Sequence, residues 1–532
     1  MKRMSVTRAV LVVVFFVLLP IKVKSSGTGG EQSAIKSATD TTLGRIRSDG
    51  YLVIKPGSSS RSYFHVGSEK IEFMPSDNLM NRLQGNVSGL TITGSGVPGA
   101  APGVRIRGFS SLVDNNPLYV IDGIPSRDVS FLNPADVESV TVLKDASALA
   151  VYGSRASGGV ISIMTKKDQH GAVLNYSTFT GLQLPGKGTS GRMLNSEEYA
   201  NLQWLVYRND LTSEYHPLYG SSSEVKPTLP GWAANTDWYD AITEPAIIAN
   251  HDLTLSSRTE NISVYAGLGY FSQDGIIIET GIKKYTARFN SEARFAGNRI
   301  RVGQTAALTF RNSHPVDNYS EKSPIATGPY RSQSIIPVKM TQQLTGISRV
   351  FMPGDWGGTA IASRLGNAPN TVALLDRNKN DQFHDLTFFG SGYIEVDILP
   401  GLMFRSSAGG SRSSGYSVDY TMKTYENAEN IITSSLAESN YALSDWVWTN
   451  TLTYSIKSGV HDLDIVAGYE ALRYGIGRTL YAKRSGYFSD DVDFRTLDNG
   501  AVIEAASSSV STPTKNLSQF IRADYSFDGK YL

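Results

Sequence analysis

The chain has 532 residues, too many for one soluble domain, with a formal net charge of +1, 19% charged residues and no cysteine. A nucleic-acid binder shows a basic excess that is missing here. The lack of cysteine excludes disulfides, thiolate metal sites and cysteine nucleophiles.

The first segment reads as a signal peptide, residues 1–25. Lys2, Arg3 and Arg8 form a basic start, and Ala9–Leu19 is an apolar run of 11 residues. A spanning helix needs about 20 residues, so this run suits a secretory leader instead. Residues 26–70 are polar, Ser-rich and aperiodic, the pattern of a flexible periplasmic extension. Inside it, YLVIK (51–55) is either linker or an extended run that docks as an added strand on a partner sheet.

Residues 71–168 read as a small α+β unit. GVRIRG (103–108) and PLYVIDGIP (117–125) predict short strands, with a turn at Asp122–Gly123. Ser139 to Lys144 predicts another strand. Asp145 is placed to cap a helix over Ala146 to Tyr152, which Gly153 closes in the left-handed conformation. Gly158 and Gly159 turn the chain back into a strand at Val160–Thr165.

From residue 172 the pattern changes to long alternating segments. In KYTARFNSEARF (284–295) the odd positions Tyr285, Ala287, Phe289, Ser291, Ala293 and Phe295 oppose Lys284, Thr286, Arg288, Asn290, Glu292 and Arg294. Segment 299–311 sets Ile300, Val302, Ala306, Leu308 and Phe310 against Arg299, Arg301, Thr305, Thr309 and Arg311. Segment 445–457 sets Trp446, Trp448, Leu452, Tyr454 and Ile456 against Asp445, Thr449, Thr451, Thr453 and Lys457. Segment 461–471 sets Leu463, Ile465, Ala467 and Tyr469 against Asp462, Asp464 and Glu470. Ordinary strands run about 5–6 residues, whereas strands crossing a bilayer obliquely need about 9–11. Short turns at Thr259–Glu260, Ala296–Asn298, Leu399–Gly401, Ser458–Gly459 and Asp528–Gly529 alternate with longer connections at 184–248, 273–283, 313–382, 414–441 and 473–516. Short turns at one rim and long loops at the other describe an outer-membrane barrel, with the short turns periplasmic. The reading is therefore an all-β transmembrane β-barrel, with the small unit as a plug. About ten strands run from 172 to 527 and an eleventh begins at Lys530. A secreted β-sandwich also alternates, but strand length and loop alternation favour the barrel. The functional alternative of another class is a non-transporting surface or secreted β-protein such as an adhesin.

The set LQGNVSGL (83–90), VPGAAPGVRIRG (97–108), PLYVIDGIP (117–125), NPADVESVTVLKDASALAVYGSRASGGVI (133–161) and TKK (165–167) closely resembles the plug of SusC/RagA-type TonB-dependent outer-membrane transporters. AGYEA (467–471) and FIRADYSFDGKYL (520–532) resemble barrel segments of the same family. The resemblance implies a barrel of about 22 strands, wide enough to need a stopper. It implies import of a glycan or, in some members, a peptide, under a SusD-like surface lipoprotein and driven by the TonB–ExbB–ExbD complex. It implies no cofactor and no enzymatic activity. Arg105, Arg107, Asp122, Lys144, Asp145 and Arg155 are the plug-motif residues expected to pair within the plug or against the wall, Arg107 foremost. Tyr51, Leu52, Val53 and Ile54 are the segment that TonB would contact if YLVIK is not linker. About 45 residues separate leader and plug, too few for the additional N-terminal domain that many members carry.

Other motifs fail on context. GSGVPG (94–99) fits a dinucleotide fingerprint in letters only, since a strand and not a helix follows. GLQLPGKG (181–188) has Gly188 where a phosphate loop needs Ser or Thr. The seven histidines show no ligand spacing, and no nucleophile elbow is present. Tyr215, Tyr219, Trp232, Trp238, Tyr239 and Trp356 in the long loops are either sugar-stacking residues or loop packing and girdle residues.

The domains expected are thus the leader (1–25), the extension (26–70), the plug (71–168) and the N-terminal half of a barrel (169–532). Ten strands and a stub leave two unpaired edges, and exposed backbone groups cost several kcal/mol each in lipid. The chain is therefore expected to be a fragment of a longer barrel or a truncated gene product, unable to form a transport-competent barrel alone. Insertion of the purified chain into liposomes as a heat-resistant closed barrel on gels would overturn this.

Overall fold

The computed structural model describes residues 63–528 apart from positions 73, 95 and 113 and the stretches 146–148, 168–170, 187–192, 210–214, 222–226 and 315–323. The expected leader, the run Tyr51–Ile54 and the stub at Lys530 lie outside the described residues.

The plug contains β1 (Tyr63–Gly67), β2 (Leu90–Thr93), β3 (Gly103–Ile106), β4 (Leu118–Ile121), β5 (Ile124–Ser126), β6 (Val137–Leu143) and β7 (Val160–Thr165). Five of them form a mixed sheet in the order β1-β6-β7-β4-β5, in which only β4 and β7 run parallel, while β2 and β3 pair separately. β4 (LYVI) is buried along its whole length, as expected of an inner strand covered on both faces. Asp122 (φ 48°) and Gly123 (φ 88°) make the tight turn from β4 to β5, a conformation that Asp and Gly tolerate.

The plug departs from expectation in two places. The flexible extension is expected to reach residue 70, yet Tyr63–Gly67 is a strand, paired with β6 from Tyr63↔Leu143 to Gly67↔Ser139. Five residues flanked by Ser and Arg are too few to show a period, and pairing with a long neighbour orders them. The helix expected over Ala146 to Tyr152 falls partly on undescribed positions. Beyond those positions the chain forms a 3-10 segment, Ala150–Ala156, broken at Gly153 (φ 65°, ψ −154°). That ψ carries the chain away from the helix axis instead of capping it.

The wall begins with β8 (Gly171–Gln183). A two-residue ladder of β9 (Tyr215–His216) and β10 (Gly220–Ser221) lies in the first long loop. Then come β11 (Ala246–Arg258), β12 (Ile262–Asp274), β13 (Gly281–Phe295) and β14 (Ile300–His314). A second loop ladder, β15 (Leu344–Thr345) with β16 (Val350–Phe351), precedes β17 (Gln382–Leu399), β18 (Leu402–Thr421), β19 (Ser435–Ser458), β20 (His461–Ser485), β21 (Val502–Val510) and β22 (Thr514–Phe527). Eleven of these strands form one antiparallel sheet running β8-β11-β12-β13-β14-β17-β18-β19-β20. β22 pairs with the lower part of β20 and β21 with its upper part, so the two share one lane beside it. Among the described residues the sheet does not close. No described helix is long and apolar enough to cross a membrane.

The period-two faces separate as the alternation predicts. On β13, Lys284 is 2% and Arg288 4% exposed, while Tyr285 is 47% and Phe289 45% exposed. The outward face also carries a continuous row of rings, Tyr176–His251–Tyr270–Tyr285–Phe310–His384–Tyr416, one from each of seven adjacent strands, with centroids 5.1–6.4 Å apart. Such a row is an interfacial girdle.

The expected long connections at 414–441 and 473–516 are much shorter. β18, β19 and β20 run 20, 24 and 25 residues, about twice what a bilayer crossing needs. Above the girdle residue Tyr416 and its partners Asn440 and Leu480, these strands carry charged residues such as Asp419, Glu438, Lys483 and Arg484. Beyond the bilayer neither face has to be apolar, so the alternation fades although backbone pairing continues. The remaining loops pack on one another around Tyr219, Trp238, Ile335, Ile336, Met340 and Phe351. A buried pair between Arg377 and Glu426, 2.6 Å apart, ties the loop after β16 to the β18–β19 connection.

Depth decides the cost of a charge on the outward face. Leu308→Arg should destabilise the membrane-inserted protein by about 2–4 kcal/mol in denaturant titration. Ile432→Arg, in an exposed loop, should leave stability within about 0.5 kcal/mol.

Candidate functional site

The site is the contact between plug and wall, and its centre is the inward face of β13. Lys284 Nζ donates to the carbonyls of Asp77 (3.1 Å), Ser130 (2.5 Å) and Leu132 (3.0 Å). An ammonium carries three protons, and the plug backbone accepts all three. Two pleats along, Arg288 Nη2 reaches Asp122 Oδ2 at 3.2 Å and Thr165 Oγ1 at 3.0 Å. Thr165 in turn gives its hydroxyl to Asp122 Oδ2 (2.6 Å) and its N–H to Asp122 Oδ1 (3.0 Å). Asn290 Nδ2 closes the group by donating to the Lys166 carbonyl at 2.7 Å. The β4–β5 turn and the end of β7 are thus fastened to one wall strand.

A second anchor is the 3-10 turn Pro134–Asp136. Asn133 caps this turn, accepting from Ala135 N at 3.1 Å, while its Nδ2 donates to Asp252 Oδ1 on β11 at 2.7 Å. Tyr265 of β12 donates its hydroxyl to Asp136 Oδ1 at 2.7 Å. Burial raises the Asp136 carboxyl above the usual carboxylate range, with Arg288 and the Tyr265 hydroxyl pulling it back. The approach is close because β12 presents glycines here. A Cβ on Gly267 would stand 2.6 Å from Asp136 Oδ1, and one on Gly269 would stand 2.9 Å from Asp252 Oδ1.

The far side of the plug meets β20. Arg155 Nη2 lies 2.6 Å from Oε1 of Glu470, which is 1% exposed, and Arg127 sits 5.2 Å over the Tyr474 ring. Between the polar contacts Phe131 stacks on Phe389 at 5.2 Å. Ala307, Val447 and Leu472 of the wall join the plug's apolar core.

Of the residues picked from sequence, Asp122 and Arg155 touch the wall. Arg105 instead stacks on Phe109 inside the plug, 4.2 Å from the ring. Lys144 Nζ donates to the Ser88 carbonyl and lies 5.3 Å from the Phe64 ring. Burial, and then the charge of Arg107, lower its pKa. Arg107 stands at φ 56° and donates its backbone N–H to Gly89 O at 2.9 Å, a contact within the plug. Asp145 is half-buried, its carbonyl accepting from Leu149 N at 3.1 Å. Tyr51, Leu52, Val53 and Ile54 lie outside the described residues. Among the loop aromatics, Tyr219 and Trp238 are buried in the loop core.

Sequence reasoning missed the wall half of the site. Lys284, Arg288, Asn290 and Glu470 were legible only as members of polar faces, and Asn133, Asp136, Asp252 and Tyr265 gave no separate signal. A cation on the inward face of a crossing strand is the one sign available, because such a charge needs a partner.

Chemically, the arrangement holds a stopper through localised charge-assisted bonds in a low-dielectric gap. Arg288→Met leaves the Asp122 carboxylate buried without its cation and should cost about 3–5 kcal/mol. Adding Asp122→Asn, which keeps the tolerated turn residue, still accepts the Thr165 N–H at Oδ1 and donates from Nδ2 to the Thr165 hydroxyl, should recover more than half of that. Denaturant unfolding of the two single variants and the double variant measures the coupling.

Residues 55–160 match the family described as the TonB-dependent receptor plug domain. TonB-dependent receptor P26 of Formosa agariphila is 26% identical over 93% of this chain and 48% of its own length. TonB-dependent receptor SusC of Bacteroides thetaiotaomicron is 30% identical over 79% of this chain and 42% of its own. The RagAB peptide importer in its closed-closed state superposes with a TM-score of 0.65 at 25% identity, covering 88% of this chain and 54% of that one. The chain spans about half the length of the curated relatives it matches. With its plug, its outer-membrane-type wall and these relatives, the chain belongs to the SusC/RagA type of TonB-dependent receptors.

Proposed function

We propose that this chain supplies the stopper and adjoining wall of an outer-membrane importer that takes up oligosaccharide or another glycan. A SusD-like surface lipoprotein covers its long-loop rim, and the TonB–ExbB–ExbD complex provides the energy. Residues 1–25 direct export and are cleaved, and the N-terminal segment that includes Tyr51–Ile54 takes the pull.

The observation that carries this reading is the seat of the plug. A small α+β unit sits against a membrane wall through two localised polar clusters, at Lys284 with Arg288 and at Glu470. Among the described residues β1 is the outermost strand of the plug sheet, bonded on one side only, and it follows the N-terminal extension in the chain. A pull from that side loads the five-residue β1–β6 ladder first, before the strands fastened to β13. The plug thus has an end that yields and an end that holds. Peptide is the second substrate reading, favoured by the likeness to the RagAB peptide importer.

Uptake of labelled oligosaccharides and labelled peptides, in cells carrying the gene, lacking it, or lacking TonB, tests the proposal. Oligosaccharide uptake should fall with either deletion. Loss confined to peptides moves the substrate to that class. No change in either leaves a non-transporting surface protein.

A further inference from the structure

Three lateral rows of inward residues cross the upper wall, and register follows each from strand to strand. The first runs Lys284, Arg311, Asp385, Gly415, Tyr441 and Thr479, one residue from each of β13, β14, β17, β18, β19 and β20. It begins against the plug, where Lys284 is buried, and comes clear of it by β19, where Tyr441 and then Thr479 are half-buried. The row above carries Phe383, Ser417, Ser439, Tyr481 and Ser507, and the row below carries Thr387, Ser413, Leu443 and Gly477. Tyr416, Asn440 and Leu480 lie at this level on the opposite face, so the rows stand inside the wall at the height of the girdle.

Rings and hydroxyls make up this surface. A Cβ on Gly415 would collide with the Tyr441 ring, so glycine lets that ring lie across β18. The ring is within 19° of parallel to that of Phe383, with centroids 6.5 Å apart. Its hydroxyl donates to Asp385 Oδ1 at 2.5 Å, which fixes its tilt. Arg311 Nη2 lies 3.8 Å from Asp385 Oδ2, and its guanidinium stands 5.4 Å from the Phe383 ring. The one carboxylate of the three rows is thus neutralised in place. Ser417 and Ser439 share a hydrogen bond of 2.6 Å, and Thr387 and Ser413 one of 2.9 Å. In each pair one hydroxyl keeps its proton for a further acceptor, and both keep lone pairs. Tyr481, 38% exposed, closes the surface three strands from Phe383, about 14 Å away at the usual strand spacing.

The chemistry narrows the ligand. An anion meets cations already engaged, Lys284 with the plug carbonyls and Arg311 with Asp385. A cation meets a carboxylate that already has its partner. A peptide recognised through its main chain needs an unpaired sheet edge, and β17–β20 are bonded on both sides. A neutral sugar needs neither charge nor edge. Its C–H faces rest on aromatic rings, and its hydroxyls exchange hydrogen bonds with serine and threonine. We infer that the inward face of β17–β21 beside the plug is the wall half of a binding site for a neutral oligosaccharide, an inference that rests on the glycan-import reading above. Phe383, Tyr441 and Tyr481 carry the sugar rings, and Ser417, Ser439 and Thr479 meet their hydroxyls. Arg127 of the plug stands 5.2 Å over the Tyr474 ring of β20, so a ligand held here borders the stopper.

Full-length protein in dodecylmaltoside is titrated calorimetrically with neutral hexasaccharides of glucose, mannose, xylose and arabinose. A hexagalacturonate serves as the anionic probe and a serine–alanine decapeptide as the peptide probe. At least one neutral hexasaccharide should bind, and Phe383→Ala, Tyr441→Ala and Tyr481→Ala should each weaken it about tenfold. Tyr441→Phe, which keeps the ring, should stay within about threefold of the unsubstituted protein. Tyr416→Ala, at the same level on the outer face, should change nothing. Tyr481 is exposed, so its truncation removes little packing and keeps the test decisive if a deeper variant fails to fold. Hexasaccharide binding that survives the alanine variants overturns the site and leaves glycan import standing. Binding of no neutral hexasaccharide also overturns the site, and TonB-dependent oligosaccharide uptake by cells then decides whether the import reading falls with it.

Discussion

The structure depends on two cations removed from water. Lys284 and Arg288 project inward from one strand into a space where no solvent shell remains. An unpaired charge there is prohibitively costly, so the wall is stable only with acceptors in place. The plug provides them as three carbonyls, one carboxylate and one hydroxyl. Wall and plug therefore specify each other's position. This is why so small a unit, with one five-stranded sheet and the β2–β3 pair, sits at a defined place against the eleven-stranded wall.

The same strands face a second solvent on their other side. The outward positions of β13 and β14 alternate with the buried cations and present rings and aliphatic groups. Hydrocarbon selects these residues as strictly as the plug selects Lys284 and Arg288. Where the wall rises beyond the girdle both constraints relax, and β18–β20 take up charged residues such as Asp419, Glu438, Lys483 and Arg484 while their pairing persists. The composition of a strand thus reports its surroundings, and its backbone register does not.

Glycine sets how closely plug and wall approach. Gly267 and Gly269 on β12 leave room for Asp136, Asn133 and Asp252 to meet across the gap. Tyr265, on the same face of the same strand, reaches past them to Asp136. A side chain at either glycine would push the Pro134–Asp136 turn off β12 and loosen the contact that Asn133 makes with β11.

Much of this was legible in the residues alone. Period-two alternation identified a wall of crossing strands and the facing within 284–295, 299–311, 445–457 and 461–471, because lipid on one side and a polar interior on the other imprint every second position. The Asp122–Gly123 turn and the strand at Val160–Thr165 were legible from local backbone preferences. The pairing of the plug was not. Arg107 makes its backbone contact within the plug, while Arg155 reaches Glu470, 315 residues away in the chain. Alternation shows that a residue faces inward, but not what stands opposite, since that depends on how plug and wall are set together. The sequence by itself determined a membrane wall, its lipid face and the existence of a plug. Only the tertiary structure decided which acid meets which base, because burial makes those partners obligatory and no local pattern encodes a contact across hundreds of residues.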